Sequence, residues 1–348
     1  MSEARAGETG AVEDPVAYFL EDLTYHGKTE RTRDAYERVL RSAETFMEGR
    51  RTTLADATRR DCMAWVHRLR GEYADSTVAS YASYLHRFYG YMVEVGTFDR
   101  NPMALVTDEM DETIDTDPAR REIDLPRMRA FVADLDHPLE QAVVVTLLKT
   151  GMRVGELCNL DIRDCSLTDE EVREAYDIAP RGGLDGRPDS IYVASDPARG
   201  EPYNGEERTA SNKRKRDTVV PVDDELAAAL KRWLAVRPDA RSDAEPLFCS
   251  TKDEWGARLT PKMARSFVTN HAREAGWYRS GGGAEENVTP HYFRHFFTTH
   301  LRDRTGDRGV VKYLRGDVAQ DVIDTYTHNW GDRVREVYEA NIYSLGTK

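Results

Sequence analysis

Along residues 13–105, apolar side chains recur every three or four positions, the spacing that gathers them on one face of a helix. Asp75 and Ser76 are both good N-caps, and Gly96 suits the left-handed conformation that follows many helices. We therefore predict a compact helical unit, preceded by a disordered N-terminus of residues 1–12. Four segments are predicted to be its helices: Pro15–Tyr25, about Thr29 to Met47, Arg59–Glu72, and Asp75 or Ser76 to Gly96.

Residues 106–121, VTDEMDETIDTDPARR, interrupt this periodicity with many acidic residues and a proline, and they are predicted to be a linker. A second unit follows over residues 122–348. It begins with helical patterns and passes through a stretch rich in glycine and charge at 180–212. Short β-branched runs at Ser190–Ala194 and Thr218–Val222 predict strands, and helical patterns fill the rest. The predicted fold class is mainly α with a small β-sheet.

Composition limits the class of protein. In a chain of 348 residues with 40% hydrophobic residues, no apolar run approaches the roughly 18 residues needed to cross a bilayer. The opening segment, MSEARAGETGAVEDP, lacks the basic start and apolar stretch of a signal peptide. The four cysteines show no CxxC spacing and no histidine at ligand distance. We predict a cytoplasmic protein with reduced thiols, no metal site and no membrane partner.

The net charge of −13 argues against a nucleic-acid partner, because DNA-binding surfaces are normally basic. Only nine of the 49 basic residues are lysines, which leaves 40 arginines. Acid excess with scarce lysine fits the salt-rich cytoplasm of a halophile, where the screening length falls to about 3 Å at 1 M salt. There only the local charge of the binding face matters. Composition alone favours an acidic protein that never meets nucleic acid.

Four separated segments of the second unit carry candidate chemistry. TGMRVGELCNL places Arg153 and Glu156 one helical turn apart, and SNKRKRDTVVPV is a basic cluster before a strand. TPHYFRHFFTTHL presents His291, Arg294 and His295 at helical spacing, and YLRGDVAQDVIDTYTH includes Tyr326. Each segment alone has a structural explanation, such as an ion pair, a solvated hairpin or a packed tyrosine.

In this order and spacing the segments resemble the tyrosine recombinase (phage integrase) family, in particular its Xer-like branch and an archaeal halophile type. The resemblance covers nearly the whole chain, including TERTRDAYERVL and VEVGTFDRNP in the first unit. It implies a helical, SAM-like core-binding domain that contacts DNA at 13–105. It also implies an α+β tyrosine recombinase catalytic domain at 122–348.

The resemblance also assigns roles to residues. Arg153 matches the first catalytic arginine, and Glu156 matches the acidic residue that steadies it. His291 and Arg294 match the family's His-x-x-Arg pair, and Tyr326 matches the nucleophile. The catalytic lysine usually stands at a fixed distance before the proline that closes the strand, which selects Lys213 over Lys215. The supporting residues are then Glu156, His295, Arg315 and Asp317.

The implied activity is site-specific DNA recombination, with strand cleavage and rejoining through a 3′-phosphotyrosine intermediate and without cofactors. Its partners would be double-stranded DNA and further copies of the chain, assembled as a tetrameric synapse. Two alternatives stay open: a type IB topoisomerase-like relaxing enzyme, and a cleavage-impaired DNA-binding or regulatory relative. A C-terminal apolar stripe could pack on its own domain or dock on a neighbouring protomer; it comprises Trp330, Val334, Val337, Tyr338 and Ile342.

The sequence departs from the family at Asp317, where a histidine or tryptophan is common. A carboxylate about 5 Å from a phosphate is repelled by roughly 3 kcal/mol at an effective dielectric near 20. The segment from Asp317 to Gln320 has the form of a helix start, so we predict that Asp317 caps the helix leading to Tyr326 without touching the phosphate. Arg315 would then supply the missing hydrogen-bond donor.

Overall fold

The computed structural model describes residues 12–114, 119–176, 178–317 and 330–346. The chain forms two compact units, one up to residue 118 and one from Ala119 onward. Tyr326 and Gln320 lie outside the described residues. In the part of the chain that is described, no helix is long and apolar enough to cross a membrane.

Five helices form the described part of the first unit, and a single apolar core joins them. Their bounds are α1 Pro15–Tyr25, α2 Glu30–Gly49, α3 Arg59–Arg70, α4 Asp75–Glu94 and α5 Ala104–Glu109. Thr29 caps α2, and a reciprocal pair of hydrogen bonds between Thr58 and Asp61 starts α3. The predicted faces are buried: Leu40 of α2 and Phe88 of α4 are both fully excluded from water.

Two local predictions in this unit need correction. The N-cap of α4 is Ala74, which has no capping side chain, and Asp75 is the first helical residue instead. Residues 106–109, predicted to be linker, continue α5, because Val106 is buried in the core of the unit. Beyond α5 the chain still follows α3, since Arg70 Nη2 donates to Glu112 Oε2 at 3.0 Å. Gly96 follows α4 with φ +75°, as predicted.

The second unit is helical around a small sheet. In its described residues the helices are α6 Leu125–Ala133, α7 Pro138–Thr150, α8 Val154–Cys158, α9 Glu170–Tyr176, α10 Asp224–Leu234, α11 Pro261–Glu274, α12 Pro290–Thr305, α13 Arg308–Arg315 and α14 Trp330–Asn341. Helix α7 is buried over almost its whole length and packs against both α10 and α12. A helix that is buried on every side lies in the middle of its domain.

The end of α7 depends on Gly151, which has φ +62°. A Cβ at this position would lie 2.2 Å from Cδ1 of Phe297 on α12. Only glycine satisfies both the backbone angle and this close approach. Gly151 therefore brings α12 against the point where the chain leaves α7.

The sheet has three antiparallel strands in the order β1 (Cys165–Ser166), β2 (Ser190–Val193) and β5 (Thr218–Pro221). Ile191 pairs with Val220, and both are buried. Between β2 and β5 lies a hairpin of β3 (Pro202–Tyr203) and β4 (Glu206–Glu207). Its two-residue turn has φ +52° at Asn204 and +83° at Gly205, which is the type I′ geometry that Asn-Gly favours.

A buried ionic cluster fixes this hairpin to the rest of the unit. Asp161 is fully buried and accepts hydrogen bonds from Arg208 Nη2 at 2.8 Å and from Arg258 Nη2 at 2.6 Å. Glu206 in β4 also pairs with Arg258. Two arginines and two carboxylates leave the cluster without net charge, which limits the cost of burying it. The stretch rich in glycine and charge at 180–212 is thus anchored near its end.

The C-terminal helix packs on its own unit. Val334, Tyr338, Tyr343 and Leu345 are all buried in the core of the second unit. Tyr338 Oη donates to the Lys149 carbonyl at 3.0 Å. Lys149, itself without exposed surface, pairs with Asp223 and Glu225, each at 2.6 Å. Val334 and Tyr338 of the stripe therefore pack in the core of their own domain. Docking of the stripe on a neighbouring protomer stays a prediction.

Candidate active site

Three segments that are distant in sequence meet at the end of α7. They are the start of α8, which carries Arg153, the first turns of α12, which carry Arg294, and the end of α13, which leads to Asp317. The guanidinium groups of the two arginines both donate to the carboxylate of Asp317. The sequence predicted the meeting of the arginines but not the position of the carboxylate.

Protein acceptors fix one side of the Arg153 guanidinium group, and the other side points at Asp317. Glu156, which is fully buried, accepts from the Arg153 backbone N–H at 2.8 Å and from Nη1 at 2.9 Å. The carbonyl of Lys213 lies 3.4 Å from the same Nη1. Nη2 is then free to point away from these acceptors and reaches Asp317 Oδ1 at 2.9 Å. Glu156 therefore fixes the orientation of the Arg153 guanidinium group.

Arg294 is fixed in the same manner from the opposite side. Its Nη1 donates to the Gly151 carbonyl at 2.7 Å and to the Arg315 carbonyl at 3.0 Å. Its Nη2 spans both oxygens of Asp317, at 2.9 and 3.0 Å. Burial, followed by the nearby charge of Arg153, lowers the pKa of Arg294 to about 10. Even so, Arg294 remains a cation at neutral pH, and its charge is concentrated where little water competes.

Asp317 is located by the end of α13. Gly316 has φ +71°, and the backbone N–H of Asp317 donates to the Lys312 carbonyl at 3.0 Å. This pattern is a Schellman motif, which ends a helix and fixes the residue after the glycine. The carboxylate also pairs with Nε of Arg315 at 2.9 Å. The sequence did not predict these contacts with the arginines. The predicted role of Asp317 as a helix cap concerns residues 318–320, which lie outside the described residues.

His291 lies one turn before Arg294 on α12 and keeps part of its ring exposed. Desolvation, followed by the positive charges of Arg120 and Arg294, lowers the pKa of His291 below its ordinary value. The ring is therefore neutral at pH 7 and can accept a proton. His295 lies one turn after His291, and its ring centroid is 6.3 Å from that of Tyr292.

The basic segment before β5 runs along the site. Lys213 and Lys215 are exposed, whereas Arg214 between them is buried. Arg214 Nε lies 3.3 Å from Glu156 Oε2, and its Nη1 donates to the Leu314 carbonyl at 3.0 Å. The two lysines are therefore open to solvent, whereas Arg214 is buried in the unit.

Arg214 and Arg120 were missed by sequence reasoning. Arg214 joins Glu156 to the end of α13, and burial lowers the pKa of its guanidinium. The alternation Lys-Arg-Lys ahead of a strand was a usable signal, since one face of such a segment must turn inward. Arg120 gave no comparable signal, because it stands in the acidic segment predicted to be linker. Within the described ranges, no group of three or more His, Cys, Asp or Glu side chains could hold a metal ion.

Comparison with known proteins agrees with this arrangement. The family model described as "Phage integrase family" matches residues 124–331, more than half of the 348-residue chain. The model described as "Phage integrase, N-terminal SAM-like domain" matches residues 16–96.

The chain belongs to the phage integrase family. It is similar to the tyrosine recombinase XerC of Pelobacter propionicus, with 24% identity over 338 residues, 93% of this chain and 95% of that protein. The tyrosine recombinase XerD of Shewanella oneidensis is 24% identical over 331 residues, 93% of this chain and 94% of that protein. The predicted Xer-like tyrosine recombinase family is confirmed, and the protein is a site-specific DNA recombinase that breaks and rejoins DNA.

Solved structures confirm the predicted fold class of the recombinase. The Tn1549 transposon integrase, in complex with a circular intermediate DNA, matches with a TM-score of 0.64 and 19% identity, covering 94% of this chain and 98% of that one. A lambda integrase dimer bound to a COC′ core site matches with a TM-score of 0.59 and 13% identity, covering 87% of this chain and 93% of that one.

Proposed function

We propose that the recombinase cleaves double-stranded DNA with Tyr326 and holds the scissile phosphate between Arg153 and Arg294. The observation that carries this proposal is the pair of fixed guanidinium groups. Each is bound through Nη1 to protein acceptors and directs Nη2 at one common anion position. Such preorganised donors stabilise the charge that develops on the non-bridging oxygens of a phosphodiester in the transition state.

In the proposed first step, the phenolic oxygen of Tyr326 forms a bond to phosphorus and the bond from phosphorus to the 5′ oxygen breaks. A phenol is a weak nucleophile at neutral pH, and His291, kept neutral by its surroundings, accepts its proton. Lys213 donates a proton to the departing 5′ oxygen. A free 5′ hydroxyl then attacks the phosphotyrosine in reverse. The phosphodiester bond energy is kept throughout, so this chemistry needs neither ATP nor a metal.

The partners and setting follow from the same proposal. Residues 13–105 act as the helical core-binding domain on DNA, and residues 122–348 act as the catalytic domain. Relatives provide support, because the Tn1549 and lambda integrase structures contain DNA and the lambda integrase is a dimer on its core site. We propose a homo-oligomer on two duplexes, with a tetrameric synapse, in the salt-rich cytoplasm of a halophile.

A nicked suicide substrate tests the proposal, because its released end diffuses away and traps the covalent intermediate. The parent should form a protein–DNA adduct, and Tyr326→Phe should form none while binding DNA nearly as well. Tyr25→Phe, which alters an exposed tyrosine of the first unit, is the matched control and should cleave normally. An adduct that persists in Tyr326→Phe, or that peptide mapping places on another tyrosine, would overturn the proposal.

The same assay separates the alternatives. A cleavage-impaired DNA-binding relative is favoured by one observation, the carboxylate of Asp317 in contact with both arginines. Such a protein would bind the substrate without forming an adduct. A topoisomerase-like enzyme would form the adduct and relax supercoiled DNA without exchanging strands between two duplexes.

A further inference from the structure

We infer that Asp317 is a built-in competitor for the scissile phosphate: its carboxylate occupies the anion position between Arg153 and Arg294 until DNA displaces it. The inference rests on the proposed function of this arginine pair. It assigns Asp317 a regulatory role that differs from that of a helix cap.

The contacts of the carboxylate resemble those that a phosphodiester would make. Oδ1 accepts from Arg153 Nη2 and from Arg294 Nη2, both at 2.9 Å, and Oδ2 lies 3.0 Å from the latter. A carboxylate and a phosphodiester each carry one negative charge spread over two oxygens. Planar guanidinium groups bind both kinds of anion through paired N–H donors. The two anions cannot share the position, because they would occupy the same donors and repel each other.

The surroundings explain why an anion is kept there without DNA. Arg294 is buried, and Arg153 and Arg315 stand beside it, so several positive charges meet where water is scarce. An unpaired buried charge is strongly destabilising, whereas a paired one is tolerated. Asp317 supplies the compensating charge from within the chain.

Displacement needs no rearrangement of α13. The backbone of Asp317 is fixed by its hydrogen bond to Lys312, but the side chain has only two rotatable bonds and is 27% exposed. Arg315 is 32% exposed, and its Nε already lies 2.9 Å from Oδ2 of Asp317. When phosphate takes over the arginine pair, the carboxylate can keep this partner by rotating outward. Arg315 is therefore the positioning residue for the displaced state.

The first test measures anion binding without DNA. Inorganic phosphate is titrated at constant ionic strength, and its dissociation constant is taken from the rise in melting temperature of the full-length protein. If Asp317 fills the site nine-tenths of the time, Asp317→Asn should bind phosphate about tenfold more tightly than the parent. Asp303→Asn removes one carboxylate from the exposed side of α12 and controls for net charge. It should bind phosphate as the parent does.

Equal or weaker phosphate binding by Asp317→Asn would overturn the inference, because Asp317 would then hold the arginines in place rather than compete. Asp317→Ser is the second variant if the amide fails to fold, and the same tighter binding is expected from it. Suicide-substrate cleavage is measured in parallel, where Asp317→Asn should form the adduct faster at subsaturating DNA. If neither the parent nor the Asp317 variants form the adduct, while phosphate binding is still strengthened in the variants, the proposed cleavage is refuted and the competition stays intact.

Discussion

Replacement of Gly316 by alanine tests how the end of α13 is fitted to the arginine site. Gly316 has φ +71°, and Gly306, between α12 and α13, has φ +64°. Both substitutions place an L-residue in the left-handed region, at a cost of about 1–2 kcal/mol. The surroundings differ, since a Cβ on Gly306 would meet nothing within 4 Å, whereas a Cβ on Gly316 would lie 2.6 Å from Cγ of Arg214. Gly306→Ala is therefore a matched control for the backbone effect alone.

The contact with Arg214 sets the size of the difference. Arg214 is buried and paired with Glu156, so it cannot yield without disturbing the residue that holds Arg153. Crowding of a packed interior costs typically about 1–3 kcal/mol. We expect Gly306→Ala to lower the free energy of unfolding by about 1–2 kcal/mol. Gly316→Ala should lower it by about 2–5 kcal/mol.

Urea unfolding of the DNA-free protein measures both losses, with midpoints compared at equal slope. Gly316→Ala should also slow single-turnover cleavage more than Gly306→Ala does, because it moves the segment that positions both Asp317 and Arg214. Equal losses of stability in the two variants would refute the reasoning that Arg214 fills the space above Gly316.

Two further predictions concern proton transfer. Lys213→Ala should cleave ordinary DNA poorly. A substrate with sulfur in place of the bridging 5′ oxygen should restore cleavage, because a thiolate leaves without a proton. If the sulfur substrate instead rescues Lys215→Ala, the role of proton donor moves to Lys215. In the DNA-free protein, NMR titration of the His291 ring should show a midpoint below 6.5, since desolvation and the nearby arginines disfavour the charged imidazole. A midpoint above 6.5 contradicts this electrostatic account.

Helices α1 to α4 of the first unit could be predicted because each carries its own apolar periodicity. Leu40 and Phe88 belong to rows of apolar residues spaced three or four positions apart, and both are buried as expected. Helix α5 was not predicted, because Val106 is its only buried apolar residue and acidic residues follow it at Asp108 and Glu109. The Asn-Gly turn at residues 204–205 was a clear hairpin signal that the prediction did not use.

The arginine pair could be predicted only through resemblance, because no local pattern links Arg153 to Arg294. The position of Asp317 could not be predicted in either way. Its partner Arg153 is 164 residues away in sequence, and Arg294 is 23 residues away. The local pattern after Asp317 suggested a helix start, whereas contacts from other segments decide where the carboxylate lies. Arg214 was missed for a related reason, because burial of a charged side chain depends on a partner such as Glu156 in a separate segment.

The packing of the C-terminal segment has a consequence for folding during synthesis. The carbonyl of Leu148, near the end of α7, accepts from the hydroxyl of Tyr343, which is separated from it by 195 residues. At about 5–20 residues per second, the ribosome takes roughly 10–40 s to make the intervening chain. During that time the central helix of the catalytic unit lacks Tyr338 and Tyr343, and contacts of such long separation form slowly. The arginine site stands at the same end of α7, so a nascent chain carries Arg153 long before it has the Tyr338 and Tyr343 packing that helps to hold α7 in place.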